Sequence, residues 1–199
     1  MKQADHASVL FGPGSDAHLN ACLNYAADNW TTYAEGYKEG ADILAAQLLH
    51  GEATLDTVVY PLVFLYRQYI ELRLKHLARD AARLVGQPFE LLHTHRIETL
   101  WKKTRQLLEE ADKAMGAKPD LGDLERVERI LLQLDASDPQ SFAFRYPEDK
   151  ENQKVLPDLR YINVRALVEQ MDEVTDLLEG ADMTIGIWLD WRNDARTSS

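Results

Sequence analysis

The feature that most constrains this chain is an apolar run with no polar face. From Val58 to Tyr66, the residues Val58, Val59, Leu62, Val63, Phe64 and Leu65 surround a helix on every side. A helix without a polar stripe is stable in water only when other elements cover it. The segment Thr57–Leu77 is therefore expected to be a long central helix. Val58–Leu72 should be its most buried part, and it should run on to Leu84 or Val85, where Gly86-Gln87-Pro88 stops it. Pro61 suits either a first turn or a kink.

The remaining elements must supply the cover, and their patterns are helical. Leu19, Cys22, Ala26, Trp30, Tyr33, Tyr37, Ala41, Leu44 and Leu48 recur at spacings of three and four after the break at Gly12-Pro13-Gly14. That stripe predicts a first helix over about 16–49, with Cys22 in the core and Gly36 and Gly40 marking either a close approach or a kink. A third helix is marked by Ile97, Leu100, Trp101, Thr104, Leu107 and Leu108. A fourth begins near Asp120 with Leu124, Val127, Ile130, Leu131 and Leu134. A fifth carries Val164, Leu167, Val168, Met171, Val174 and Leu178 and should close at Gly180. No stretch alternates with period two for long enough to argue a sheet. The expectation is an all-α bundle of about five helices. It divides into an N-terminal extension 1–14, a bundle domain 15–182 and a C-terminal tail 183–199, whose Ile185, Ile187, Trp188, Leu189 and Trp191 should dock somewhere.

Composition excludes several functions. The 199 residues carry 33 acidic and 22 basic side chains, a net charge of −11 that argues against broad coating of DNA or anionic membranes while leaving room for a local basic groove. A single cysteine, Cys22, permits neither an intramolecular disulfide nor a Cys-rich zinc site and suits a reducing compartment. No signal-like N-terminus or membrane-length apolar run is present, so a cytoplasmic location is expected. Phosphate-cradling glycine loops, an HExxH pair and a Gly-x-Ser-x-Gly elbow are all missing, and His93 with His95 is a weak metal signal. No metal or cofactor is expected.

Charge inside the central helix marks the candidate site. Arg67, Glu71 and Lys75 follow at i, i+4 and i+8 and share one stripe directly after the apolar run. Two readings fit: an internal ion pair that fixes helix register, or a polar pocket for a phosphate. Arg73, Lys75, His76, Arg79 and Arg83 make the end of the helix basic, which complements its macrodipole. The loop Ser141–Asp149 combines Phe142, Phe144, Tyr146 and Pro147 with Arg145 and Asp149. Folded back, it would bring Arg145, Tyr146 or Asp149 to the stripe, with His95 close by. Arginine suits a carboxylate or phosphate oxygen pair.

Three segments together carry a family resemblance. Tyr60-Pro61-Leu62-Val63-Phe64-Leu65-Tyr66-Arg67-Gln68-Tyr69-Ile70-Glu71-Leu72-Arg73-Leu74-Lys75, His95 followed by Ile97 and Leu100-Trp101, and Phe144-Arg145-Tyr146-Pro147-x-Asp149 resemble HEPN-like bacterial proteins. The resemblance implies a helical bundle, commonly a homodimer, in a stress, toxin–antitoxin or phage-defence setting. Many such domains are metal-independent ribonucleases with Arg and His four to six residues apart; here eight residues separate Arg67 from His76 and two separate Arg73 from His76. The departure implies a non-catalytic module that binds a nucleotide, RNA or a protein partner. The alternatives are a ribonuclease with a variant site drawn from Arg67, Glu71, His95 and Arg145, and a scaffold unrelated to nucleotides.

Overall fold

A computed structural model describes residues 10–26, 28–90, 92–118 and 121–197, and among them the fold is all-α. Five helices follow one another: α1 (Asn29–Leu49), α2 (Leu55–Val85), α3 (Ile97–Met115), α4 (Leu121–Ser137) and α5 (Val164–Thr197). None is long and apolar enough to cross a membrane.

α2 is the axis on which α1, α3 and α5 all pack. Leu62, Tyr66, Tyr69, Ile70, Leu74 and Leu77 are sealed from solvent, as the missing polar face requires. The cover begins a turn later than the apolar run. Val58 and Val59 are only half-buried, Leu65 is half-buried, and Pro61 is exposed inside the helix. Thr57 and Val58 amides close the first turn onto the Thr54 carbonyl. At the other end Gly86 is left-handed (φ 73°), and the Gly86 and Gln87 amides return to the Arg83 and Ala82 carbonyls. Glycine adopts that conformation without the steric penalty of a Cβ.

α1 starts at Asn29, not near 16. Among the described residues the preceding stretch holds only a single short turn, Ala17–Leu19. Local polar bonds win over apolar spacing here. Asn20 clips back onto Gly14 through its side chain (2.8 and 3.2 Å), and Asn24 takes a positive φ of 56°. Asparagine competes well for such local bonds and tolerates the left-handed region. Asp28 then caps α1 by accepting from the Trp30 amide at 3.0 Å. Leu19 and Cys22, expected in the core, lie exposed instead. Gly40 is the close approach of the two glycines: a Cβ there would lie 3.5 Å from Leu65 Cδ1, whereas nothing comes near Gly36.

α5 also departs from expectation. It passes through Gly180 and runs to Thr197, so no separate tail begins at 183. Ile185 and Leu189 join Ala78, Ala81, Ala82, Leu84, Leu107, Leu108 and Ala111 in a second apolar core between α2, α3 and α5. That burial offsets the roughly 1 kcal/mol that a mid-helix glycine costs. Arg192 adds hydrogen bonds to the Arg83 and Leu84 carbonyls, satisfying acceptors that the end of α2 leaves open. The expected start of α4 at Pro119 and Asp120 lies outside the described residues; from Leu121 the helix follows the predicted apolar positions. Between α4 and α5 the chain forms a long irregular loop, 138–163.

Candidate functional site

The expected site residues fall into two separate places. The first is a buried polar knot around Arg67. Its side chain is 0% exposed, and its guanidinium joins three elements. Nε donates to the Asp138 carbonyl (3.0 Å), Nη2 to the His95 carbonyl (2.6 Å) and Nη1 to the Glu71 carboxylate (3.3 Å). The Asp138 carboxylate lies 3.6 Å from Nε as a second counter-charge. Burial pulls the Arg67 pKa down against the opposing pull of Asp138 and Glu71. An arginine nevertheless remains a cation. Glu71 also accepts from Lys75 Nζ at 2.9 Å. Each hydrogen-bonding nitrogen of Arg67 is thus used within the fold, and none faces a ligand.

Asp138 explains why the loop folds as it does. One carboxylate oxygen accepts from the Phe142 and Ala143 amides at 2.7 and 3.0 Å, which starts the turn 142–146. The Arg145 and Tyr146 amides close that turn onto the Phe142 carbonyl. Asp138 therefore clamps α4's exit to α2 through Arg67 and shapes the loop at the same time.

His95 sits at the rim of the knot. Its Nδ1 is 2.9 Å from Glu71 Oε1 while its side chain is 61% exposed. Arg96 beside it binds the buried Asp135 carboxylate at 2.9 Å. Among the described residues no group of three His, Cys, Asp or Glu side chains is placed to hold a metal ion.

Arg145, Tyr146 and Asp149 do not reach this knot. Asp149 accepts from the Glu151 and Gln153 amides, both at 2.9 Å, and shapes its own turn. Arg145 donates through Nε to the Ser141 carbonyl at 2.7 Å and lies against the Phe64 and Tyr146 rings at 5.6 and 5.5 Å. Phe142 stacks on Tyr146 with centroids 4.7 Å apart. These contacts seat the side chain against the loop and α2, and Arg145 also lines a cleft.

That cleft, about 1220 Å³, is the second place. The end of α1, the start of α2, the loop 138–163 and the start of α5 form its walls. Arg145, Lys154, Arg160 and Arg165 line it, against only Asp56 and Glu148, together with Tyr60, Tyr146 and Tyr161. All four cations are exposed and none has an ion-pair partner among the described residues. Elsewhere Arg67, Arg73, Lys75, Arg79, Arg96 and Arg105 each hold a carboxylate, while Arg83, Lys103, Lys113, Arg129 and Lys150 are scattered cations without an ion pair among the described residues; the cleft differs in gathering four such cations in one place. An anion entering the cleft meets charges that no internal partner neutralises.

Lys154, Arg160, Arg165, Tyr60 and Tyr161 were not visible as site residues in the sequence. Glu148, Asp149, Glu151 and Asp158 interleave with the loop cations, so the net charge of the stretch conceals them. Only the folded loop separates the two sets, for example by turning Asp149 onto its own backbone.

Most of the basic end of α2 is likewise paired, Arg83 excepted. Arg73 and His76 bind Asp182 of α5 at 2.8 and 3.1 Å, and Arg79 binds Asp28 and Asp80. Burial works against ionisation of Asp182. The hydrogen bond from His76 and the charges of His76, Arg73 and Arg79 outweigh it, holding the carboxyl below its ordinary range.

No protein-family model, curated protein or solved structure matches this chain.

Proposed function

We propose that this chain is a non-catalytic, HEPN-like helical module that binds a nucleotide or the exposed end of an RNA in the cleft beside α2. The observation that carries this reading is the set of four unpaired cations gathered with three tyrosines in one cleft of a chain whose net charge is −11. Cations supply the attraction for phosphate, and the planar guanidinium of Arg145, which lies beside two rings, matches a pair of phosphate oxygens. Tyr60 and Tyr161 supply faces on which a base stacks, an interaction worth about 1–3 kcal/mol per base and tolerant of sequence. The stress, toxin–antitoxin or phage-defence setting rests on the resemblance of the three sequence segments alone.

Calorimetric titration of the protein with ATP, inorganic phosphate and a short single-stranded oligoribonucleotide tests the reading. Binding should weaken as salt rises, and Arg160→Glu should weaken it about tenfold or more, a difference of roughly 1.4 kcal/mol. Equal affinity in the wild type and Arg160→Glu, or no binding of any probe at millimolar concentration, would reject it.

One observation favours a second reading, a metal-independent ribonuclease. The exposed His95 imidazole is hydrogen-bonded to a buried carboxylate, an arrangement that orients an imidazole for proton transfer. RNA cleavage by the wild type that disappears in His95→Ala, with the fold retained, would favour it over the binding module.

A further inference from the structure

The cleft beside α2 is larger than one nucleotide needs. Sites for a single small ligand usually enclose about 300–1,000 Å³, and this cleft opens about 1220 Å³. Two of its tyrosines have unoccupied rings, and they come from different elements. Tyr60 lies near the start of α2 and is 48% exposed; Tyr161 lies just before α5 and is 90% exposed. Among the described residues neither ring stacks on another or carries a cation over its face, and neither hydroxyl has a hydrogen-bond partner. The third tyrosine differs, because Phe142 stacks on Tyr146 and Arg145 lies against it.

Each unoccupied ring has an arginine in its own part of the cleft. Tyr60 and Phe64 stand four residues apart and so share a face of α2, and Arg145 lies against the Phe64 ring at 5.6 Å. Tyr161 follows Arg160 directly in the chain, and Arg165 belongs to the first turn of α5. The cleft therefore offers two aromatic faces with a cation near each. Leu55 and Leu159, 52% and 41% exposed, add apolar surface to the same walls.

We propose, resting on the nucleotide-binding reading above, that the ligand of this cleft is a dinucleotide, with one base on Tyr60, the other on Tyr161 and the linking phosphate held by the cations between them. Charge agrees with this occupant: four cations against Asp56 and Glu148 leave an excess of positive charge for the phosphates. A single base uses one face at a time, whereas two linked bases use both, and each stacked base adds to affinity.

Calorimetric titration of the full chain compares ATP with the linear RNA dinucleotide of two adenosines that carries a terminal phosphate. ATP has the greater negative charge but a single base, so a preference for the dinucleotide reports the second base and not charge. The dinucleotide should bind about tenfold more tightly or better. Tyr60→Ala and Tyr161→Ala should each remove that preference, whereas Tyr60→Phe and Tyr161→Phe keep the ring and should retain it. Tyr161 is almost wholly exposed, so Tyr161→Ala should melt with the wild type and decides the point even where Tyr60→Ala lowers stability. Equal affinity for the two probes, or a preference that survives Tyr161→Ala, would overturn the dinucleotide and leave the nucleotide-binding reading standing. Failure of both probes to bind at millimolar concentration would reject both.

Discussion

Arg67 shows how far one side chain can fix a fold. Its three nitrogens bind α2, the strand of chain leading into α3 and the exit of α4, all without solvent. Removing it leaves Glu71 and Asp138 buried without their cation, so Arg67→Ala should destabilise the protein by about 3–5 kcal/mol in a denaturant titration. Arg67→Lys should recover only part of this, because one ammonium cannot span the Asp138 and His95 carbonyls together. Asp182 supplies the pH prediction at this scale. Its folded carboxyl pKa is depressed, so its contribution is complete above the unfolded value of about 3.9 and disappears as pH falls through the folded value. Asp182→Asn should therefore lower stability at neutral pH and flatten the acid limb of a stability-against-pH curve, which thermal melts from pH 2 to 7 would show. An unchanged acid limb would mean that the Arg73–Asp182–His76 group does not hold α5 to α2.

At the scale of elements, apolar periodicity found each helix and misjudged two of their ends. α2, α3 and the body of α5 were legible because their apolar rows coincide with what they bury. The row Leu19–Cys22–Ala26 has the same period but no helix, because Asn20 and Asn24 make local bonds and turns that periodicity does not register. Cys22→Ser should accordingly change stability by less than about 0.5 kcal/mol, as exposed substitutions do; a loss of several kcal/mol would place that row in the core after all. Gly180 misled in the opposite sense. A glycine often ends a helix, yet here the second apolar core outweighs its cost. Leu189→Ala should cost about 2–3 kcal/mol, near the low end for a buried leucine because its site lies at the edge of the bundle. A neutral result would return residues beyond 182 to the status of a loose tail.

For the whole molecule, the charged stripe of α2 was legible as a cluster but not as a kind. Spacing alone placed Arg67, Glu71 and Lys75 together, and it could not tell a saturated internal knot from a binding pocket, because that depends on the loop carbonyls that come to meet them. The cleft was less legible still, since its walls come from the end of α1, the start of α2, the start of α5 and a loop whose charges nearly cancel in sequence. The fold thus separates two sets of arginines: those that hold the bundle together and those left free at its surface.

That separation is the central claim, and one paired measurement tests it most directly: melting temperature and ATP affinity, determined on the same preparations of Arg67→Lys and Arg160→Glu. Arg67→Lys should melt several degrees lower and, while folded, bind with wild-type affinity. Arg160→Glu should melt with the wild type and bind about tenfold more weakly or worse, roughly 1.4 kcal/mol. If Arg67→Lys abolished binding at an unchanged melting temperature while Arg160→Glu bound normally, the buried knot would be the functional site and this account of the molecule would be wrong.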